Sequence, residues 1–284
     1  MEHIVLAVIV TYNRLECLQQ CLSALKNQTV DNFDILVINN GSTDGTTGYL
    51  DDRKDLLKIH QANLGGAGGF YSGMRYMFEH GYEWLWMMDD DGLPDRNQLK
   101  NLLKYGEQGE LVLNAIVVNK DNPSKLAFGN MNPVDQYQEA LTASIFHPFN
   151  GTFIHRSVIK KLGYIKKEMF IWGDEQEYRR RILSYGYVPK TVTSAIHFHP
   201  QEKGKKLYVF PFVHNNWVIW DKPAERSNIY YRNLGYIDAT YGQHWYSGYG
   251  NVAKHLIAFA LRGRFLEIYK FLKYYRRGMN NKFK

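Results

Sequence analysis

Apolar and polar positions in this chain fall into blocks that alternate between short apolar runs and stretches with a helical period. IVLAVIV at Ile4 to Val10, the run Phe33 to Asn39 and the shorter Leu56 to His60 predict buried strands. Between the first two, Arg14 to Lys26 reads as a helix with Leu18, Leu22 and Leu25 on one side. Ser42, Thr43 and Asp44 offer a cap to a short helix ending near Asp52. Residues 63 to 81, NLGGAGGFYSGMRYMFEHG, run from a glycine-rich turn into another helix. A fourth strand, with Tyr82 ahead of Trp84 to Met88, stops abruptly at Asp89, Asp90 and Asp91. Leu111 to Val118 continues the sheet, and Ala127 to Phe149 reads as hairpin or loop. Asn150 to Phe153 leads to a helix from Arg156 to Leu162, another helix opens at Asp174, and Thr191 to Ile196 is a strand followed by HFHP. From Pro223 the pattern is helical, over Ala224 to Tyr241 and Val252 to Arg276. Strands alternating with helices predict an α/β fold with a mostly parallel, Rossmann-like sheet. The change of pattern divides the chain into a body, residues 1–205, and a helical extension, residues 206–284.

Composition alters this picture in three places. The net charge of +7 is concentrated at the end, since Lys254 to Lys284 holds nine Lys or Arg against the single Glu267. The last helix is therefore basic and amphipathic, with Val252, Leu256, Phe259, Phe265, Ile268, Leu272 and Tyr275 on its apolar side. It is too charged to span a bilayer; it suits an anionic leaflet, or a body onto which its apolar side docks. Cys17 and Cys21 lie four apart in a helix, imply neither a disulfide framework nor a zinc site, and fit a reducing cytoplasm. The apolar run after Met1 is too short for a membrane span and lacks a small-residue cleavage site, so it reads as a core strand. The 21 Tyr, 15 Phe and 6 Trp suit a sugar-handling surface and equally a plain core.

The candidate chemistry starts at the aspartates. Three carboxylates at the end of a buried strand repel one another, and a divalent cation held by hard oxygen ligands offsets that repulsion. A solvated turn is the alternative, since Gly92, Pro94 and Asp95 follow. The glycine-rich turn at Asn63, Gly65 and Gly66 offers backbone amides to a diphosphate, or simply permits tight packing. Asp174, Glu175 and Glu177 open a helix whose dipole favours acids there, with Trp172 and Gly173 just before them. A histidine at a strand end, His197, can complete a metal's coordination.

Together VIVTYNR (8–14), VINNGSTDGT (37–46), NLGGAGG (63–69), MMDDDG (87–92) and FIWGDEQEYRRR (170–181) resemble the family 2 glycosyltransferases of the GT-A fold, over about residues 3 to 200. The aspartate triplet and the tryptophan-preceded acids are most similar to the branch with bacterial galactofuranosyltransferases and rhamnosyltransferases of surface polysaccharide synthesis. The resemblance implies donor binding by Thr11, Arg14, Asn39 and Asp90, with Asn39 standing where many relatives have Asp. It implies Mn²⁺ or Mg²⁺ on Asp89, Asp91 and His197, with His199 as the alternative ligand. It implies a base of inverting transfer at Glu175, or at Asp174; Trp172, just before these acids, suits stacking on a sugar ring and equally a place in the core. The implied donor is a nucleoside-diphosphate sugar, UDP-galactofuranose first. The implied acceptor is a saccharide, a polyprenyl-diphosphate-linked one being the candidate, reached from the cytoplasmic face of the plasma membrane. Acceptor contacts are expected from Phe128 to Gly151 and the C-terminal helices.

Three other readings carry less. A sugar-phosphate nucleotidyltransferase calls for a basic glycine-rich loop after the first strand, where this chain has TYNR. A non-catalytic nucleotide-sugar-binding module leaves the acids unused. A nucleic-acid binder calls for an aromatic platform or recognition motif, and the basic charge lies instead on an amphipathic helix.

Overall fold

A computed structural model describes residues 4–128, 132–143, 145, 149–201, 204–212, 217–242 and 248–283. Met1 to His3 of the N-terminal segment, part of the expected 127–149 hairpin, and the terminal Lys284 lie outside the described residues. The strands are β1 (Val5–Thr11), β2 (Phe33–Asn39), β3 (Leu57–His60), β4 (Trp84–Asp89), β5 (Leu93–Pro94), β6 (Val112–Asn119), β7 (Asn122–Leu126), β8 (Leu141–Thr142), β9 (Thr152–His155), β10 (Lys190–His199), β11 (Lys205–Tyr208) and β12 (Val218–Asp221). The helices are α1 (Leu15–Lys26), α2 (Thr46–Asp51), α3 (Gly65–Glu79), α4 (Gln98–Gly106), α5 (Arg156–Leu162), α6 (Asp174–Ser184), α7 (Ser227–Tyr241), α8 (Tyr249–Ala260) and α9 (Phe265–Met279).

The chain forms two compact units, residues 1–167 with 181–202, and residues 168–180 with 203–284. In the first, the sheet order is β3-β2-β1-β4-β9-β6-β10-β5. β1 pairs parallel with β2 and β4, β2 with β3, and β6 with β10, whereas β9 runs antiparallel between β4 and β6. The inserted β9 is a difference from the expected lead-in at Asn150 to Phe153: a four-residue strand too short to carry a period of its own is defined by its two partners. Alternate residues of β1 serve opposite faces. Val5, Ala7 and Ile9 join Leu18, Cys21, Leu22 and Leu25 of α1 and Leu99 and Leu102 of α4 in one core. On the other face α3 lies against β1 so closely that a Cβ on Gly69 or Gly73 would overlap Val10 or Val8. Two of the turn-and-helix glycines thus serve packing, while Gly66 has open space beside it. Cys17 and Cys21 are free thiols, and burial pushes the Cys21 thiol well up.

The second unit holds the β11–β12 hairpin, α7, α8 and α9 around Ile219, Tyr231, Phe259 and Phe271. α7 and α9 approach until backbones touch, since a Cβ on Gly235 or Gly278 would overlap the carbonyls of Tyr275 and Arg232. The single helix expected over 252–276 is two helices, broken before Gly263, whose φ is +64°. The break also divides the expected apolar side: Ile268 and Tyr275 pack inward, whereas Phe265 and Leu272 are exposed. No helix among the described residues is long and apolar enough to cross a membrane.

Candidate active site

β4 delivers Asp89 as its last residue, and the turn after it is closed by the Gly92 N–H on the Asp89 carbonyl at 3.2 Å. This turn separates the three carboxylates. Asp90 is buried, accepting from Thr11 Oγ1 at 2.8 Å and from Arg14 Nη1 at 3.2 Å. Asp91 accepts from the same Arg14 nitrogen at 2.7 Å and lies 3.2 Å from His199 Nε2. Asp89 accepts from Asn150 Nδ2 at 3.3 Å. Ligand atoms of Asp89, Asp91 and His199 all lie within 4.8 Å of one another. Two carboxylates and an imidazole form an oxygen–nitrogen donor set of the kind that holds Mn²⁺ well and Mg²⁺ acceptably, so the residues present fit a divalent ion.

His197, the first expected ligand, is not in this cluster; His199, the alternative, is. It is 0% exposed, and its Nε2 sits where a Cβ on Gly92 would be. Its Nδ1 is held by Gln98, whose amide is satisfied when its oxygen accepts from Trp86 Nε1 at 3.2 Å and its nitrogen donates to the Ile196 carbonyl at 2.8 Å and to His197 at 3.1 Å. Burial drives the His197 pKa down to about 3, so the ring is a neutral prop beneath the aspartate turn. β10 runs three residues beyond the expected end at Ile196, and its last residue, His199, is the one that reaches Asp91. His199 also tilts against Phe128, with ring centroids 4.7 Å apart.

The electrostatics separate the three acids further. Burial raises the Asp90 carboxyl to about 6 against the opposing Thr11 and Arg14 contacts. Burial also works to raise Asp91, but the His199 hydrogen bond and charge, with Arg14, hold it at about 2. A carboxyl whose folded pKa lies above its unfolded one stabilises the fold when protonated, and that contribution disappears as pH rises through the folded value. Metal-free wild-type stability is therefore expected to fall relative to Asp90→Asn between pH 3.8 and about 6, by on the order of 2–3 kcal/mol. Denaturant melts across that range in chelator check this; a flat difference would refute it.

At the ends of β2 and β3 the expected donor residues are tied into the turns. Asn39 accepts from the Ser42 N–H at 3.0 Å through Oδ1, and its Nδ2 reaches Thr47 at 2.8 Å and His60 Nδ1 at 3.0 Å. One Oδ1 lone pair remains for a ligand donor. Asn63 accepts from the Gly65 N–H at 2.9 Å, forming the turn that starts α3. Its neighbour across the sheet end, Asn40, latches that turn by accepting from Leu64 N–H at 3.1 Å and donating to the Gly65 carbonyl at 2.9 Å. Asn40, His60 and Asn150 were not singled out from the sequence; each stands beside a candidate already named, but an isolated Asn or His carries no periodic signal.

The acidic segment belongs to the second unit. Phe170 and Trp172 have φ of 67° and 62°, and Gly173 follows at 99°. Left-handed backbone costs about 1–2 kcal/mol per non-glycine residue, so this segment is strained where the candidate acids begin. Asp174 is buried, and Glu175 is half-buried. Burial raises the Glu175 carboxyl against opposing contacts from Asp174, the Gly173 N–H and Lys222. Glu177 is anchored instead, accepting from the Tyr241 hydroxyl at 2.5 Å. Trp172 has the Lys222 ammonium 4.8 Å from its ring centroid.

Residues 6–163, from β1 through α5 with all three aspartates, match the model of glycosyl transferase family 2. This chain is a family 2 glycosyltransferase. The glycosyltransferase is 31% identical over 254 residues to galactofuranosyltransferase GlfT1 of Mycobacterium tuberculosis, covering 84% of this chain and 83% of that protein. It is 26% identical over 200 residues to the dTDP-rhamnosyl transferase RfbF of Shigella flexneri, covering 66% and 65%. Among solved structures, mannosyltransferase PcManGT of Pyrobaculum calidifontis, in complex with GDP-Man and Mn²⁺, superposes with a TM-score of 0.58 at 17% identity, over 90% of this chain and 73% of that one. S. aureus TarS 1-349 with UDP-GlcNAc gives 0.59 at 14% identity, over 96% and 92%. The fold of the glycosyltransferase is GT-A, a mostly parallel sheet flanked by helices with further helices at the C-terminal end.

Proposed function

We propose that this glycosyltransferase is an inverting, metal-dependent enzyme that moves a hexose, galactofuranose first among candidates, from a UDP-sugar to a hydroxyl of a saccharide acceptor. The observation that carries the reading is the convergence of Asp89, Asp91 and His199 beyond the carboxyl ends of β4 and β10, the side on which open α/β sheets bind ligands. The sugar is suggested by the 31% identity to a galactofuranosyltransferase over most of both chains. Asp89, Asp91 and His199 would hold the divalent ion. When bound, it supplies positive charge against that developing on the leaving nucleoside diphosphate. Thr11, Arg14, Asn39, Asn63, Gly65, Gly66 and Asp90 contact or shape the donor, with Arg14 available to the diphosphate as a second cation. Glu175 takes the proton of the acceptor hydroxyl while that oxygen attacks the anomeric carbon, and the bond from that carbon to the diphosphate oxygen breaks on the opposite face. One displacement with one base inverts the configuration. Its raised pKa brings Glu175 closer to neutrality, which favours a base, and Trp172 stacks on a sugar ring.

The test is a donor panel of UDP- and dTDP-sugars with Mn²⁺, read by thermal shift and by release of free nucleoside diphosphate. Stabilisation and slow turnover with UDP-galactofuranose support the reading, and the same response to dTDP-rhamnose instead moves it to rhamnosyl transfer. Binding without release to any acceptor marks a non-catalytic module, and no response to any nucleotide overturns the donor assignment.

The acceptor is proposed to be lipid-linked and reached at the inner face of the plasma membrane. α9 buries Phe271, Tyr275 and Gly278, while Phe265 (69% exposed), Leu266 (85%) and Tyr269 (67%) stand out beside exposed Lys273 and Arg276. Residues 265, 266, 269, 272, 273 and 276 share one helical side, an apolar and basic face that suits an anionic leaflet. Phe265→Glu with Leu266→Glu is expected to lower co-sedimentation with anionic vesicles at least about tenfold without shifting the melting temperature. Equal sedimentation would refute this surface.

A further inference from the structure

We infer that Asn233 is a positioning residue for the acidic segment, holding Trp172 to Glu175 in the geometry transfer requires; this rests on Glu175 acting as the base. The segment's left-handed residues, Phe170 and Trp172, turn several carbonyls away from regular pairing. Buried carbonyls need donors, and one side chain supplies most of them. Asn233, in α7 and 0% exposed, sets its Nδ2 within reach of the carbonyl oxygens of Met169 at 2.9 Å, Ile171 at 3.1 Å and Trp172 at 2.8 Å, its two N–H donors serving the three with one shared. Its Oδ1 accepts from Arg232 Nε at 3.1 Å and Nη2 at 2.9 Å, which fixes which way the amide faces. Arg232 Nη2 in turn donates to the carbonyls of Glu168 at 3.0 Å and Met169 at 3.2 Å.

An amide and a guanidinium on consecutive α7 residues thus hold the carbonyls of residues 168, 169, 171 and 172. The last grip, at Trp172, lies one residue before Gly173. The Gly173 N–H meets Glu175 Oε2 at 3.3 Å, and the Gly173 carbonyl accepts the Glu177 N–H at 2.8 Å. The start of α6 is therefore indexed to α7 through Asn233. The position needs a short side chain that both donates to carbonyls and accepts from Arg232; Asp could not donate, and Ala could do neither. Asn233 and Arg232 grip only the backbone carbonyls of the acidic segment, so their effect on the reaction would pass through that segment.

The test uses the full chain with Asn233→Ala, Asn233→Ser, the pair Asn233→Ala/Phe170→Gly and, alongside them, Glu175→Gln. Glycine at 170 takes a positive φ without strain, so the pair relieves part of what the amide restrains. Asn233→Ala is expected to lower kcat about 10- to 100-fold, with donor KM and Mn²⁺-dependent nucleotide binding unchanged within about twofold. Serine is expected to fall between, and the pair to recover several-fold over Asn233→Ala. Near-normal kcat in folded Asn233→Ala overturns the inference. So does a parallel loss of donor binding, or loss of the folded state in all three Asn233 variants, since each marks a merely structural residue. Near-normal turnover in Glu175→Gln defeats the base assignment whatever Asn233 does. An inactive Glu175→Gln beside an active Asn233→Ala defeats the positioning role alone.

Discussion

Replacing Glu175 with Gln is expected to leave metal-dependent nucleotide binding intact and to lower transfer by roughly 10²- to 10⁴-fold. The substitution keeps the length and shape of the side chain and still offers an oxygen to the Gly173 N–H, 3.3 Å from Glu175 Oε2. It removes only the capacity to take a proton. Asp174→Asn discriminates between the two acids. Asp174 is buried at the first position of α6, where the helix dipole favours a carboxylate, so its loss should act mainly on stability. Burial raises the Glu175 pKa, so transfer should fall off on the acid side at a pH above the ordinary glutamate range, as the base becomes protonated. Single-turnover rates with saturating donor, across pH, measure both effects. Full activity in Glu175→Gln with a dead Asp174→Asn would exchange their roles.

Asp91→Ala is expected to abolish the metal-dependent part of donor binding. Its carboxylate is a member of the ligand cluster, and it also restrains two other groups, Arg14 at 2.7 Å and His199 at 3.2 Å. Removing a partner that only orients a ligand typically costs about 10–100-fold in metal affinity, so losing the ligand itself should cost at least that. Titration calorimetry with Mn²⁺, then with nucleotide in excess Mn²⁺, measures it, and unchanged affinity would move the metal elsewhere. The histidines sharpen the test. His199→Ala should weaken Mn²⁺ more than His197→Ala, because only His199 stands among the ligand atoms.

Much of the first unit was legible in the chain. Strands such as Val5–Thr11 and Trp84–Asp89 are nearly continuous apolar runs because both faces of the sheet are covered. Other elements were not. β9 is four residues long, and β5 and β8 are two each, too short for any period to show. α4 is amphipathic and long enough to be seen, yet it follows the aspartate turn, whose Gly92, Pro94 and Asp95 read as loop. The choice between the two histidines was not legible for a different reason. His197 and His199 are two apart on one strand and share a face, so alternation cannot tell them apart.

The sequence by itself determined the α/β class, the family, the carboxylates at the end of β4 and the acidic helix start, because these are local: a run, a spacing, a cap. Tertiary structure alone decided which carboxylate turns inward to Thr11 and which histidine lies beside Asp91. It also decided that Gln98 and Asn233, single polar residues in otherwise ordinary helices, hold the aspartate turn and the acidic segment. Their partners lie far away along the chain, 99 residues from Gln98 to His197 and 61 from Asn233 to Trp172. A buried amide is chosen by the carbonyls it must satisfy, and those are known only once the chain has folded around it.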